Sequence, residues 1–192
     1  MTVRTDLEQK ICLKLQTISA TALQRLAEDI AKIRDPQRYR DLQIIGRNEE
    51  GQTTTGWPDA GVIADYTVDA VEATREKDNW QKHIAADYGK ATDGKHKKLT
   101  GFLFVAGYPK KRADPNDIGR WAAKFRDLGI DEQRIHILVG MGLVRELAEP
   151  RYARTRLTIL GIPDCPNHFR MLGEYTTANK REYAFEPERA GL

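Results

Sequence analysis

Apolar residues recur at three- and four-residue spacing from the start of the chain. Leu7, Ile11, Leu15 and Ile18 predict an amphipathic helix over about residues 4–18. Thr21 with Gln24 fits a capping box, and Leu23, Leu26, Ala27, Ile30 and Ile33 give a second helix that Pro36 ends. A short strand at 42–45 leads into a polar, glycine-punctuated loop at 46–52. The pattern then changes period. Val62 and Ile63, then Val68, Ala70 and Val71, supply the β-branched and small residues of a hairpin with its bend at Asp65 and Tyr66.

Further helices are expected from Trp80 to about Lys90, with Trp80, Ile84 and Tyr88 as the buried stripe, and across Ile118 to Leu128, stopped by Gly129. Between them the unbroken apolar run 100–106 reads as a central strand buried on both faces. A strand over 134–139 follows, with Ile135, Ile137 and Val139 on one face. Helix then returns at 140–149, is broken at Pro150 and runs on to Leu160. The order α, α, β, β, β, α, β, α, β, α, α calls for an α/β fold, a mixed central sheet flanked by helices. Residues 1–173 form the expected domain. The polar stretch 174–192 reads as a tail or linker to a downstream region.

The hairpin also carries the chemistry. Pairing across its bend brings Asp59 toward Glu72, and Glu72 and Thr74 share a strand face. Two carboxylates and a hydroxyl at one sheet edge suit a hard, oxygen-preferring cation such as Mg2+, with Mn2+ as a substitute. On the following helix Lys82 and His83 lie apart from the apolar stripe, and Asp87 and Lys90 lie further along. Lys97 and Lys98, and Lys110, Lys111 and Arg112, form basic loops. With Arg151, Arg154 and Arg156 they are candidates for electrostatic contact with a nucleic-acid backbone.

Pro58-Asp59 followed by Glu72-Ala73-Thr74 resembles the PD-(D/E)xK nuclease superfamily, with Thr74 standing where the motif has lysine. The likeness spans roughly residues 20–170. Gly56-Trp57-Pro58-Asp59-Ala60, Val71-Glu72-Ala73-Thr74, Trp80-Gln81-Lys82-His83 with Asp87, and Pro150-Arg151-Tyr152-Ala153-Arg154 are similar to a particular group. These are the N-terminal nuclease domains fused to STAND-type signalling ATPases in prokaryotic antiviral defence. The resemblance implies a restriction-endonuclease-like sheet, a Mg2+-dependent endonuclease acting on double-stranded DNA, and a metal held by Asp59 and Glu72. It also implies self-association through an ATPase and sensor region that this sequence lacks, and an auxiliary polar residue on the second helix, for which Gln24 and Glu28 are candidates. Three accounts of Thr74 follow: a lysine moved to Lys82 or Lys77, a threonine that orients water, or a site that binds without cutting. The corresponding alternative function is a catalytically silent nucleic-acid-binding or oligomerisation domain.

Composition narrows this little. The 192 residues are 31% charged and 40% hydrophobic with a net charge of +3, an ordinary profile that permits nucleic-acid binding without requiring it. No run reaches the roughly 18 apolar residues of a membrane span, and no signal peptide is visible, so a cytoplasmic protein with no membrane partner is expected. Cys12 and Cys165 imply neither a disulfide framework nor a zinc site. A small-molecule α/β enzyme is the weakest reading: no glycine-rich phosphate loop and no Gly-x-Ser-x-Gly nucleophile setting is present.

Overall fold

The computed structural model describes residues 6–48, 56–75, 79–107 and 113–163. Two helices open the chain, α1 (Asp6–Thr17) and α2 (Ala20–Arg34). The strands are β1 (Gln43–Ile44), β2 (Ala60–Ile63), β3 (Thr67–Thr74), β4 (Lys98–Ala106) and β5 (Ile135–Leu138). Helix α3 (Trp80–Thr92) joins β3 to β4, α4 (Pro115–Asp127) joins β4 to β5, and α5 (Met141–Ala148) follows β5. A 3-10 turn at Pro150–Tyr152, the single turn α6 (Ala153–Thr155) and a wide π turn at Arg156–Leu160 complete the described chain. Among the described residues the class is the expected one, a mixed α/β fold with six α-helices around a five-stranded sheet.

The sheet order is β1-β2-β3-β4-β5. β1, β2 and β3 pair antiparallel, as a hairpin requires. β4 then adds parallel to β3, and β5 parallel to β4, because each of these connections carries a helix. Strand alternation sorts the side chains into two cores. Ala60, Val71, Leu103 and Val105 pack with α1, α2 and α5, while Ala70, Phe102, Phe104 and Ile135 pack under α3 and α4. Phe102 stacks on Phe125 of α4 with ring centroids 4.1 Å apart, which ties the second helical layer to the middle of the sheet.

Two local expectations are corrected. The cap of α2 is Ser19, whose hydroxyl accepts from the Ala22 amide, and not Thr21. That leaves Gln24 free of capping duty, and it turns inward. The basic run of the last segment is also divided. Arg154 is exposed, but Arg156 is 1% exposed and its Nη1 donates to the carbonyls of Leu147 (2.5 Å) and Glu149 (2.7 Å), at the end of α5. A cation at a helix C-terminus satisfies orphan carbonyls and complements the dipole, so Arg156 belongs to the core and is not available to a phosphate. Arg151 is committed in part to Glu146, 2.9 Å away, which Arg34 (2.7 Å) and the Tyr152 hydroxyl (2.5 Å) also contact. This buried carboxylate pins α5 to α2 and to the segment that follows.

Candidate active site

Parallel strands open their C-terminal ends to ligands in α/β sheets. Here the C-terminal end of β3 meets the N-terminal end of β2. The register pairs Ala60 with Val71, so one step earlier Asp59 stands opposite Glu72. Four hydrogen bonds fix Asp59. Its Oδ2 accepts from the Ala73 amide (2.8 Å), its Oδ1 accepts from Gln24 Nε2 (2.9 Å), and its carbonyl accepts from the amides of Ile45 (2.9 Å) and Gly46 (2.6 Å). Gly46 is glycine for a spatial reason. A Cβ there would stand 2.6 Å from Asp59 Oδ1 and 2.9 Å from its Cα. The segment carrying Gly46 is held in turn by Arg47, which donates to both oxygens of Glu28 at 2.6 and 2.7 Å.

Glu72 is 7% exposed, and its Oε1 is buried with no hydrogen-bond partner. Burial raises its carboxyl well above the ordinary value, and the charges of Asp87 and Asp59 raise it further. Asp87 comes from α3 and is itself buried. Burial pushes its carboxyl up to about 6, against the lowering effect of Lys90. Asp59 is also raised, by burial, although its hydrogen bonds from Ala73 and Gln24 oppose the shift. Three carboxylates thus share one low-dielectric site, each resisting ionisation. Lys90 faces them, with Nζ 3.5 Å from Asp87 Oδ1 and 6.0 Å from the centre of the Trp57 ring, and Arg47 also acts on the charge of Asp59. His96 meets the same ring edge-on, with centroids 4.9 Å apart, and so carries the basic loop to the rim of the site.

The structure brings together Asp59, Glu72 and Gln24, and sets Thr74 on Glu72's face, buried at the end of β3. Glu28 is near but engaged by Arg47. Lys82 is exposed on the outside of α3, whereas half-buried His83 lies one turn before Asp87 and acts on its charge. Lys97 and Lys98 are exposed, and Lys97 Nζ caps the hairpin bend through the carbonyls of Ala64 and Asp65, each at 2.8 Å. Lys77, Lys110, Lys111, Arg112 and the stretch 174–192 lie outside the described residues. Sequence reasoning gave no role to Asp87 or Lys90. A signal for Asp87 exists: it falls three residues after Ile84, on the buried stripe of α3, where a carboxylate needs a reason to be.

Among the described residues, no three His, Cys, Asp or Glu side chains are arranged to hold a metal by themselves. The donor set nevertheless suits Mg2+. It offers an orphaned carboxylate oxygen on Glu72, spare lone pairs on Asp59 and a buried, unpartnered Oε1 on Gln24, and this ion commonly keeps several waters beside one or two carboxylates. A separate cleft of about 220 Å³, lined by Arg34, Tyr39, His136 and Arg151 among others, lies on the α2 side of the sheet. Its two guanidiniums are already paired with Glu146, and burial beside Arg34 pushes the His136 imidazole down to about 4, so it is neutral near pH 7.

No helix among the described residues is long and apolar enough to cross a membrane. Comparison with protein-family models, with curated proteins and with solved structures returns no match.

Proposed function

We propose that this chain is a metal-dependent DNA endonuclease domain, hydrolysing phosphodiester bonds as the cytoplasmic effector of a larger prokaryotic antiviral defence protein. The observation that carries the reading is Glu72, a buried carboxylate with an unpartnered oxygen, set opposite Asp59 at the end of a Pro-Asp hairpin. A fold built for stability alone does not gain from burying a carboxylate beside two others, since burial and each neighbouring carboxylate oppose its ionisation. Magnesium at this site would offset charge on the phosphoryl oxygens and lower the pKa of water. Asp59 is oriented for that duty by the Ala73 amide and Gln24. Glu72 presents its free oxygen, and Trp57 with the basic loop flanks the approach of the nucleic-acid strand. The defence role and self-association through a sensor region rest on the resemblance of the Gly56–Ala60 and Val71–Thr74 segments to nuclease domains of STAND ATPases. The second reading, a silent nucleic-acid-binding domain, is favoured by Thr74 in the lysine position.

Plasmid cleavage with Mg2+ or Mn2+, at low and high protein concentration, separates the two. Metal-dependent nicking that disappears in Asp59→Ala and Glu72→Ala is the expected result. DNA binding indifferent to both substitutions, with no cutting at any concentration, establishes the silent domain instead.

Gly46→Ala tests the cradle around Asp59 without replacing a carboxylate. The added methyl must displace Asp59, at a cost of about 1–3 kcal/mol for overpacking. Cleavage should fall about 100-fold, the usual consequence of misplacing a reacting group by about 1 Å. Thermal melting and nicking rates on the same sample check both effects.

A further inference from the structure

Strand β3 ends in Glu72-Ala73-Thr74, with the neutral hydroxyl of Thr74 where the motif it resembles has lysine. The opposite wall supplies one. Helix α3 places Asp87 and Lys90 three residues apart on neighbouring turns, and Asp87 is buried while Lys90 keeps 41% of its side chain exposed. Its ammonium therefore has a fixed inner contact, Asp87 Oδ1 at 3.5 Å, and an open outer side. The Trp57 ring, next to the Pro-Asp turn in sequence, has its centroid 6.0 Å from that ammonium, at the outer limit of cation–π range. Lys82, by contrast, lies on the exposed face of the same helix.

We propose that Lys90 is the catalytic lysine of this site, contacting the scissile phosphate or the attacking water from α3, with Asp87 and Trp57 as the residues that position it. The inference rests on the nuclease reading and deepens it. An ammonium on a long stem reaches a phosphate from a helix as well as from a strand, provided its resting place is fixed. Asp87 Oδ1 lies 3.5 Å from the Lys90 ammonium and the indole centroid 6.0 Å from it. In the hydrolysis a water oxygen bonds to phosphorus as the bond from phosphorus to the leaving oxygen breaks. The water's proton passes to solvent or to a neighbouring base, and the 3′ or 5′ oxygen leaves with a proton taken up from water. Lys90 remains protonated and holds charge against the phosphoryl oxygens throughout.

The deciding experiment compares wild type, Lys90→Met, Lys82→Met and the double variant Lys90→Met/Thr74→Lys in plasmid nicking. Mn2+ affinity of each protein, read by electron paramagnetic resonance, accompanies it. Lys90→Met should lose about 100-fold or more in nicking while Mn2+ affinity stays within about threefold or tightens, because a repelling cation has been removed. Lys82→Met should cut normally. The double variant should recover a substantial part of the loss, which a merely structural role for Lys90 would not permit. Nicking by Lys90→Met at the wild-type rate, beside an inactive Asp59→Ala, overturns the inference and leaves the nuclease reading standing. A wild-type protein that nicks nothing, and binds Mn2+ no better than Asp59→Ala, overturns both.

Discussion

Glu72→Gln should yield a protein that is more stable without metal and inert with it. The substitution keeps the shape of the side chain and removes its charge from a site where burial, Asp87 and Asp59 all oppose ionisation. A carboxyl whose folded pKa is raised holds a proton that the unfolded chain has already released. Between the unfolded value and the folded one, metal-free stability therefore falls as pH rises. For Asp87 that window runs from 3.8 to about 6, and for Glu72 it opens at 4.5 and extends well above it. The gap between variant and wild type should accordingly close near pH 4 and widen toward pH 8. There a gain of about 0.5–2 kcal/mol, or about 2–8 °C in Tm, is expected. Nicking should fall by about 10³-fold. Mg2+ should raise the Tm of wild type, which binds it in the folded state, and leave that of the variant nearly unmoved. Melting curves across pH with and without Mg2+ read every part of this. A variant less stable than wild type at pH 8 would show that Glu72 is a structural carboxylate.

The second large effect concerns Glu28 and Arg47. Their side chains are 9% and 7% exposed and joined through both carboxylate oxygens. Glu28→Ala strands a buried guanidinium and should cost about 3–5 kcal/mol, whereas replacing both partners, as in Glu28→Leu/Arg47→Met, should restore most of that loss. Chemical denaturation of the single and double variants measures the difference. Activity separates two roles that stability cannot. If Glu28 serves only to hold the segment bearing Gly46, the double variant regains cleavage together with stability. If Glu28 also meets the metal, stability returns and cleavage does not.

The elements of the fold were legible because their periods are clear. Apolar residues three and four apart marked α1 and α2, β-branched and small residues marked β3, and the continuous run in β4 belongs to a strand covered on both faces. The opposition of Asp59 and Glu72 was also legible, since a short bend at Asp65 and Tyr66 fixes the register. What escaped was tertiary. Thr21 and Gln24 satisfy a capping pattern, yet Ser19 takes the cap and Gln24 serves Asp59, a partner 35 residues away in sequence. Nothing local distinguishes Arg156, which is interred, from Arg154, which is exposed. Lys82 and Lys90 differ only in which side of α3 meets the sheet. That is decided by Trp80 and Ile84 packing beneath it, and Asp87 is buried with them because it shares their side.

The order of strands in the sheet is the order in which they are synthesised. Each strand finds its neighbour already made, so every pairing joins strands consecutive in the chain and none waits for a partner made later. The two halves of the candidate site differ in this respect. Asp59 reaches the Ala73 amide across 14 residues, within one hairpin. Asp87 and Lys90 arrive only when α3 lies down between β3 and β4. In a chain leaving the ribosome the two hairpin carboxylates are therefore made before α3, the element that brings Asp87 and Lys90 to them.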